Sequence, residues 1–170
     1  ATSHYNTAVG TYALLNNTAA NNTALGTRAL QINTTGANNV AVGAFALDAN
    51  TTASKNTAVG QAALGANTTG FNNTALGSQS LLSNTTAAYN TAIGDRTCYS
   101  NTTGDLNVAL GSQSLYFNTT GSKNVAIGYQ TLSTNTTASN NTAVGYQALE
   151  TNSTGDFLTG IGDRALHLNT

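Results

Sequence analysis

The 170-residue sequence has no proline, methionine or tryptophan, and its single cysteine is Cys98. One cysteine excludes an internal disulfide framework and a zinc site built from several cysteines of the same chain. Charged residues make up 6% of the sequence and the formal net charge is −1, so the basic footprint of a nucleic-acid-binding protein is missing. No apolar run approaches the ~20 residues of a membrane span. We therefore expect no nucleic-acid partner and no membrane insertion.

Asparagine and threonine dominate the composition, with 24 and 31 residues. The apolar 39% is mostly alanine, valine and leucine, with few large side chains. A compact core of ordinary thickness is hard to build from such residues. A thin core that repeats along an axis suits them better.

The sequence is a tandem array of about ten units, most of them 17 residues long. Self-similarity at a fixed period of this kind is the signature of a solenoid. The first unit is one residue shorter than the others, and the whole chain, residues 1–170, is expected to form a single domain. The units begin near Asn6, Asn22, Asn39, Asn56, Asn73, Asn90, Asn107, Asn124, Asn141 and Leu158.

The ten units, compared with one another, separate fixed positions from variable ones. Counted from the opening residue of each unit, position 3 is alanine except for Gly160, position 4 is always aliphatic, position 5 is always glycine, and position 9 is leucine except for Cys98. Positions 6, 7, 10, 11, 16 and 17 vary freely. Fixed positions are expected to lie inside or at special backbone angles, and variable ones to face outward.

This pattern predicts an all-β fold, a parallel β-solenoid or β-roll with one 17-residue coil per repeat. Positions 1–4 predict a short strand, and the fixed glycine a turn with positive φ. Positions 7–11 predict a second strand, and Asn-Thr-Thr a turn that closes the coil. If positions 4 and 9 fill the interior, the small residues at positions 3 and 8 point outward.

The outward small residues, in turn, favour close contact with other copies of the chain, most simply in a homotrimer. Neither end carries an obvious cap, and an uncapped solenoid exposes ladder edges that stack or aggregate. We therefore expect either a segment of a longer fibre or a subunit that joins head to tail into a filament.

Three stretches carry a resemblance to a known family: Asn-Val-Ala-Val-Gly (39–43), Asn-Val-Ala-Leu-Gly (107–111) and Asn-Val-Ala-Ile-Gly (124–128). They resemble the core motif of YadA-like trimeric autotransporter adhesin heads. The longer stretch 141–149 with its following Asn-Ser-Thr-Gly resembles repeats of phage-type tail fibres. The resemblance implies a trimeric β-roll at a cell or virion surface.

Asn-x-Ser/Thr is the most frequent local motif, and in a secretory context each copy is a candidate N-glycan acceptor on a turn. The alternative is that Asn-Thr-Thr recurs because it makes the turn and stacks as an amide ladder. The candidate acceptors at position 12 are Asn33, Asn50, Asn67, Asn84, Asn101, Asn118, Asn135 and Asn152.

Four tyrosines in variable positions are candidate surface-contact residues: Tyr99, Tyr116, Tyr129 and Tyr146. Tyr129 and Tyr146 occupy the same position of consecutive coils and are expected to stack. Such a stripe suits binding of a host surface or a glycan, and packing between coils or chains is the alternative.

Catalytic and metal-binding patterns are not found in the sequence. His4 and His167 are isolated, the acidic residues occupy variable positions, and no serine has a nucleophilic triad around it. We expect no enzyme, no cofactor and no metal. The sequence favours a structural or adhesive extracellular fibre segment; the alternatives are a self-assembling, glycosylated filament subunit and an ice-binding solenoid with threonine rows.

Overall fold

The computed structural model describes residues 4–169. Within them, ten parallel three-residue strands form one sheet in chain order, about nine turns of a solenoid. The all-β solenoid is thereby confirmed; residues 1–3 and 170 of the predicted domain lie outside the described part. The strands are β1 (Thr7–Val9), β2 (Thr23–Leu25), β3 (Val40–Val42), β4 (Thr57–Val59), β5 (Thr74–Leu76), β6 (Thr91–Ile93), β7 (Val108–Leu110), β8 (Val125–Ile127), β9 (Thr142–Val144) and β10 (Thr159–Ile161).

Neighbouring strands pair in exact register with the repeat. Ala41 of β3 lies beside Ala58 of β4, which in turn lies beside Ala75 of β5. Every position of the unit therefore forms a straight row along the solenoid axis, one residue per coil. The interior and the surface of the solenoid are both built from these rows.

The predicted interior is wrong at position 4. The alanines of position 3 are fully buried in coils two to nine, together with the residues of positions 8 and 9. Position 4 points away from them, with Leu25 46% exposed and Leu76 45% exposed. Neighbouring residues of a strand face opposite sides, and the coil is so thin that the alanine side, not the larger aliphatic side, faces inward.

The predicted second strand is also absent. Positions 7 and 9 instead carry positive φ in every unit, as at Arg28 (62°) and Leu30 (51°). Arg28 N–H donates to Thr11 O of the preceding coil, whereas Leu30 N–H donates to Ala46 O of the following one. Left-handed residues at alternate positions thus turn successive amides toward opposite neighbours, and these bonds offset the conformational cost.

The glycine of position 5 forms the corner after each strand, as predicted from its invariance. Its φ lies between +123° and +139° in all ten units, a region that is essentially restricted to glycine. A Cβ on Gly77 would lie 2.2 Å from the carbonyl oxygen of Gly94 in the next coil. Both the backbone angle and the close approach of the coils therefore require glycine here.

Two rows of buried asparagines, at positions 1 and 12, close each coil. The side-chain amides of Asn56 and Asn67 both donate to the carbonyl oxygen of Gly70, each at 2.9 Å. Asn67 also donates to Oδ1 of Asn50 in the preceding coil (3.0 Å), and Oδ1 of Asn56 accepts from the backbone N–H of Asn73 (2.9 Å). Buried amides are stable only when they are paired, and here they link each coil to itself and to its neighbours.

Candidate functional site

The outer side of the ten strands carries a continuous aliphatic row, and we call this side the strand face (positions 2 and 4). Its residues are threonine or valine at position 2 and valine, leucine or isoleucine at position 4, without a charged side chain. Ile127 of position 4 is 38% exposed. No other outward row is aliphatic throughout: positions 13 and 14 are almost entirely threonine, and the remaining outward rows mix polar and apolar residues.

A second surface holds the four predicted tyrosines. The rings of Tyr99 and Tyr116, both at position 10, stack at 5.1 Å between centroids with an interplanar angle of 6°. Tyr129 and Tyr146, both at position 6, stack at 5.7 Å and 15°, as predicted. The structure thus forms two separate stacked pairs, and Phe117 packs edge-on against Tyr116 at 4.7 Å.

A row of glutamines at position 7 accompanies the tyrosines. Gln130 Nε2 donates to Gln113 Oε1 (2.9 Å), and Gln147 Nε2 donates to Gln130 Oε1 (3.1 Å). Together with Tyr99, Tyr116, Phe117, Tyr129 and Tyr146, this row forms what we call the aromatic–glutamine surface. The glutamine ladder was not predicted, although identical residues at one position of consecutive coils are the signal for it.

A cavity of about 270 Å³ opens within the aromatic–glutamine surface. Its lining residues are Gln113, Tyr116, Phe117, Gln130 and Ser133. Ser133 follows Tyr99 and Tyr116 in the position-10 row, and its small side chain leaves open the space that a third ring would fill. The cavity is therefore a consequence of where the tyrosine row stops.

A larger cavity of about 430 Å³ lies on another side of the solenoid, among the turn residues of positions 14 to 17. Phe71 and Tyr89 pack edge to face there, 5.2 Å apart. Lys55 contributes a cationic group to the lining. The cavity escaped prediction because Phe71 and Tyr89 belong to different positions of the unit.

The eight candidate glycan acceptors of position 12 form the second buried asparagine row. All eight are fully buried, and the amide nitrogen that a glycan would take already donates hydrogen bonds, as Asn84 does to Asn67 Oδ1 and Ala87 O. Attachment of a sugar would remove these bonds and require the coil to open. Their glycosylation stays a prediction, and the geometry of the folded coil opposes it.

Threonines of positions 13 and 14 lie next to each other but differ in their bonding. Hydroxyls of position 13 donate to a carbonyl of the next coil, as Thr68 does to Thr85 O (3.0 Å). Those of position 14 are exposed and make no hydrogen bond within the described residues. This exposed row consists of Thr35, Thr52, Thr69, Thr86, Thr103, Thr120, Thr137 and Thr154.

Charged side chains are scattered over the surface. Arg28 lies 3.5 Å from Asp48; burial raises the pKa of Asp48, and the nearby guanidinium partly counteracts this. His167 lies 3.1 Å from Glu150. Within residues 4–169 no group of three or more His, Cys, Asp or Glu side chains is placed to hold a metal ion.

Cys98 occupies the buried leucine row of position 9. Its side chain is fully buried, and loss of hydration raises the pKa of the thiol to about 12. A thiol that stays protonated is a poor nucleophile. Cys98 therefore serves as part of the core.

Comparison with known proteins shows no matching family model, no matching curated protein and no matching solved structure. Across residues 4–169 we find no helix with the length and apolar character needed to cross a membrane.

Proposed function

We propose that this chain is a structural and adhesive segment of an extracellular fibre, at a cell or virion surface, and that it self-associates through the strand face. One observation carries the proposal. Position 4 is outward yet aliphatic in all ten units, although exposure alone sets no such requirement. An apolar row of this kind suits a surface that a second copy covers, and the resemblance of 124–128 to trimeric adhesin heads supports the same arrangement.

The size of the strand face favours three chains over two. Nine spacings of about 4.8 Å give a length of about 43 Å, and three residues give a width of about 10 Å. Two such strips face to face would bury about 800 Å² in total, below the ~1,200 Å² of stable interfaces. Three chains around an axis also cover the rows that flank each strip, so more surface is buried.

Light scattering coupled to size-exclusion chromatography tests the proposal. We expect a particle of three times the 17.2 kDa chain mass. Leu76→Asp places a charge at the centre of the strand face, where the side chain is 45% exposed in the single chain, and is expected to give folded monomers. Gln61→Asp, on an exposed variable row, is the matched control and is expected to leave the mass unchanged.

Two other outcomes have distinct meanings. A monomer of the unmodified chain at every concentration contradicts self-association. A mass that grows with concentration and is insensitive to Leu76→Asp favours the alternative, a filament joined head to tail.

Ice binding is a second candidate, and the exposed threonine row of position 14 favours it. Eight unbonded hydroxyls at one-coil spacing form a regular line that is able to order water. The adjoining outward position 16 varies among Ala, Ser, Phe and Asp, so the line is a single row. Thermal hysteresis that disappears in Thr86→Lys and Thr103→Lys would establish this activity, and no hysteresis in the unmodified chain would exclude it.

A further inference from the structure

We propose that the cavity between Gln113, Tyr116, Phe117, Gln130 and Ser133 binds one ring of a neutral saccharide. This inference deepens the adhesive part of the proposed function and rests on it. It assigns the contact to coils seven and eight of the solenoid and to one class of ligand.

The walls of the cavity are aromatic and held in place. Tyr116 is fixed on one side by its stacking on Tyr99 and on another by the edge-on contact with Phe117. Phe117 is 51% exposed, so a large part of its ring is open to a ligand. Rigid aromatic walls cost little conformational entropy on binding, and they suit the apolar C–H face of a pyranose ring.

The polar groups of the cavity match the hydroxyl rim of a sugar. A glutamine amide carries two N–H donors, and the ladder uses one of those on Gln130. The hydroxyl of Ser133 makes no hydrogen bond within the described residues, although the residue is only 7% exposed. A purely apolar ligand would leave these polar groups without hydrogen-bond partners, whereas sugar hydroxyls satisfy both donors and acceptors.

The charge and the size of the cavity restrict the class of ligand further. No charged side chain lines the cavity, so an acidic or basic ligand finds no counter-ion there. Its volume of about 270 Å³ lies just below the ~300–1,000 Å³ of sites for drug-sized molecules. One ring of a neutral chain fits this space, with the remainder of the chain in solvent.

Saturation-transfer NMR on the full chain tests the inference. The probes are the methyl pyranosides of glucose, galactose, mannose and N-acetylglucosamine. We expect transfer to the ring C–H protons of at least one probe, with a Kd on the order of 1 mM, since a single ring makes few contacts. Phe117→Ala is expected to weaken this binding at least tenfold.

Ser133→Tyr is the decisive variant, because it continues the tyrosine row of Tyr99 and Tyr116 and fills the cavity while keeping a residue that the row already accepts. It is expected to abolish transfer with an unchanged circular dichroism spectrum. Phe45→Ala, which removes an exposed ring remote from the cavity, is the control and is expected to bind as the unmodified chain does.

Absence of transfer to all four probes, or transfer that survives Ser133→Tyr, overturns the inference. Light scattering on the same samples keeps the two proposals apart. A trimer that binds no probe retains the fibre proposal and rejects the saccharide site, whereas a monomer that binds a probe rejects self-association alone.

Discussion

The inner and outer rows of this solenoid follow opposite rules. Inner rows keep one residue type, as at positions 3 and 9, or only small residues, as at position 8 (Ala, Ser or Thr), because each side chain meets the same neighbours in the coils before and after it. Most outer rows are mixed, and position 10 alone accepts Tyr, Gln, Asp, Glu, His, Leu, Ser and Gly. The contrast shows that the fold depends on a small set of positions, whereas most of the remaining positions tolerate many residue types.

Replacement of a corner glycine is expected to have the largest effect. Gly77→Ala introduces a Cβ 2.2 Å from Gly94 O at a φ of +139°, and we expect a loss of more than about 4 kcal/mol in the free energy of unfolding. Denaturant unfolding, together with hydrogen exchange of β5 and β6, measures it. Ser78→Ala is the control, since alanine occurs at that position in Ala44; equal effects of the two variants would contradict the distinction between inner and outer rows.

Removal of one amide from the buried ladder is expected to cost less. Asn67→Ala deletes donors to Gly70 O and Asn50 Oδ1 and the acceptor of Asn84. Buried polar groups then lose partners, and the expected loss is about 2–3 kcal/mol. Denaturant unfolding of this variant and of Asn72→Lys, a change to a residue found in the same outward row, provides the comparison. A loss below that of Asn72→Lys would show that the ladder is dispensable.

Alkaline pH is expected to reveal the buried thiol. The pKa of Cys98 is about 12 in the folded chain and about 9.0 unperturbed, so above pH 9 the unfolded state loses a proton that the folded state keeps. The thiol therefore does not lower the free energy of unfolding below pH 9 and lowers it as pH rises toward 12, by about 3 kcal/mol at pH 11.

Cys98→Leu, which restores the residue of the row, is expected to remove this part of the decline. The measurement is the difference in unfolding free energy between the two chains from pH 8 to pH 11. Parallel curves would show that the thiolate forms without cost in the folded state.

Changes in an outer row are expected to have the smallest effect. Tyr146→Thr removes one stacked ring, but threonine already occurs at this position in the first two coils. The ring is 45% exposed, and we expect less than about 1 kcal/mol in thermal or denaturant unfolding. A larger loss would place the stacked tyrosines among the determinants of the fold.

The period, the solenoid class and the glycine corner were all predictable from the sequence, since ten imperfect copies act as an internal series of substitutions. The direction of position 4 was not. Either face of a strand with alternating side chains can point into the coil. Residue size favoured the orientation in which the larger side chains, such as Leu25 and Leu76, lie inside. The alanine side faces inward because the closed coil is narrow, and the diameter of the coil is not evident from the sequence.

The prediction of a second strand was wrong for a different reason. Leucine and arginine rarely adopt positive φ. The residue types at positions 7 and 9 therefore give no signal from which the alternating turns at Arg28 and Leu30 could be predicted. Their cause lies in hydrogen bonds to adjacent coils, which a single coil does not contain. The cavity beside Ser133 likewise depends on side chains of two coils that are 13 to 20 residues apart, Gln113 to Ser133 being the widest pair.

Because the same rows continue from coil to coil, the length of the solenoid is set by the number of repeat units. Adding one 17-residue unit repeats the hydrogen bonds that already link neighbouring coils and extends the solenoid by about 4.8 Å. Duplication or loss of whole units at the DNA level would thus change reach without a new fold. A residue on one coil stays at a fixed height along the axis, and the number of units on either side of it determines its distance from each end of the solenoid.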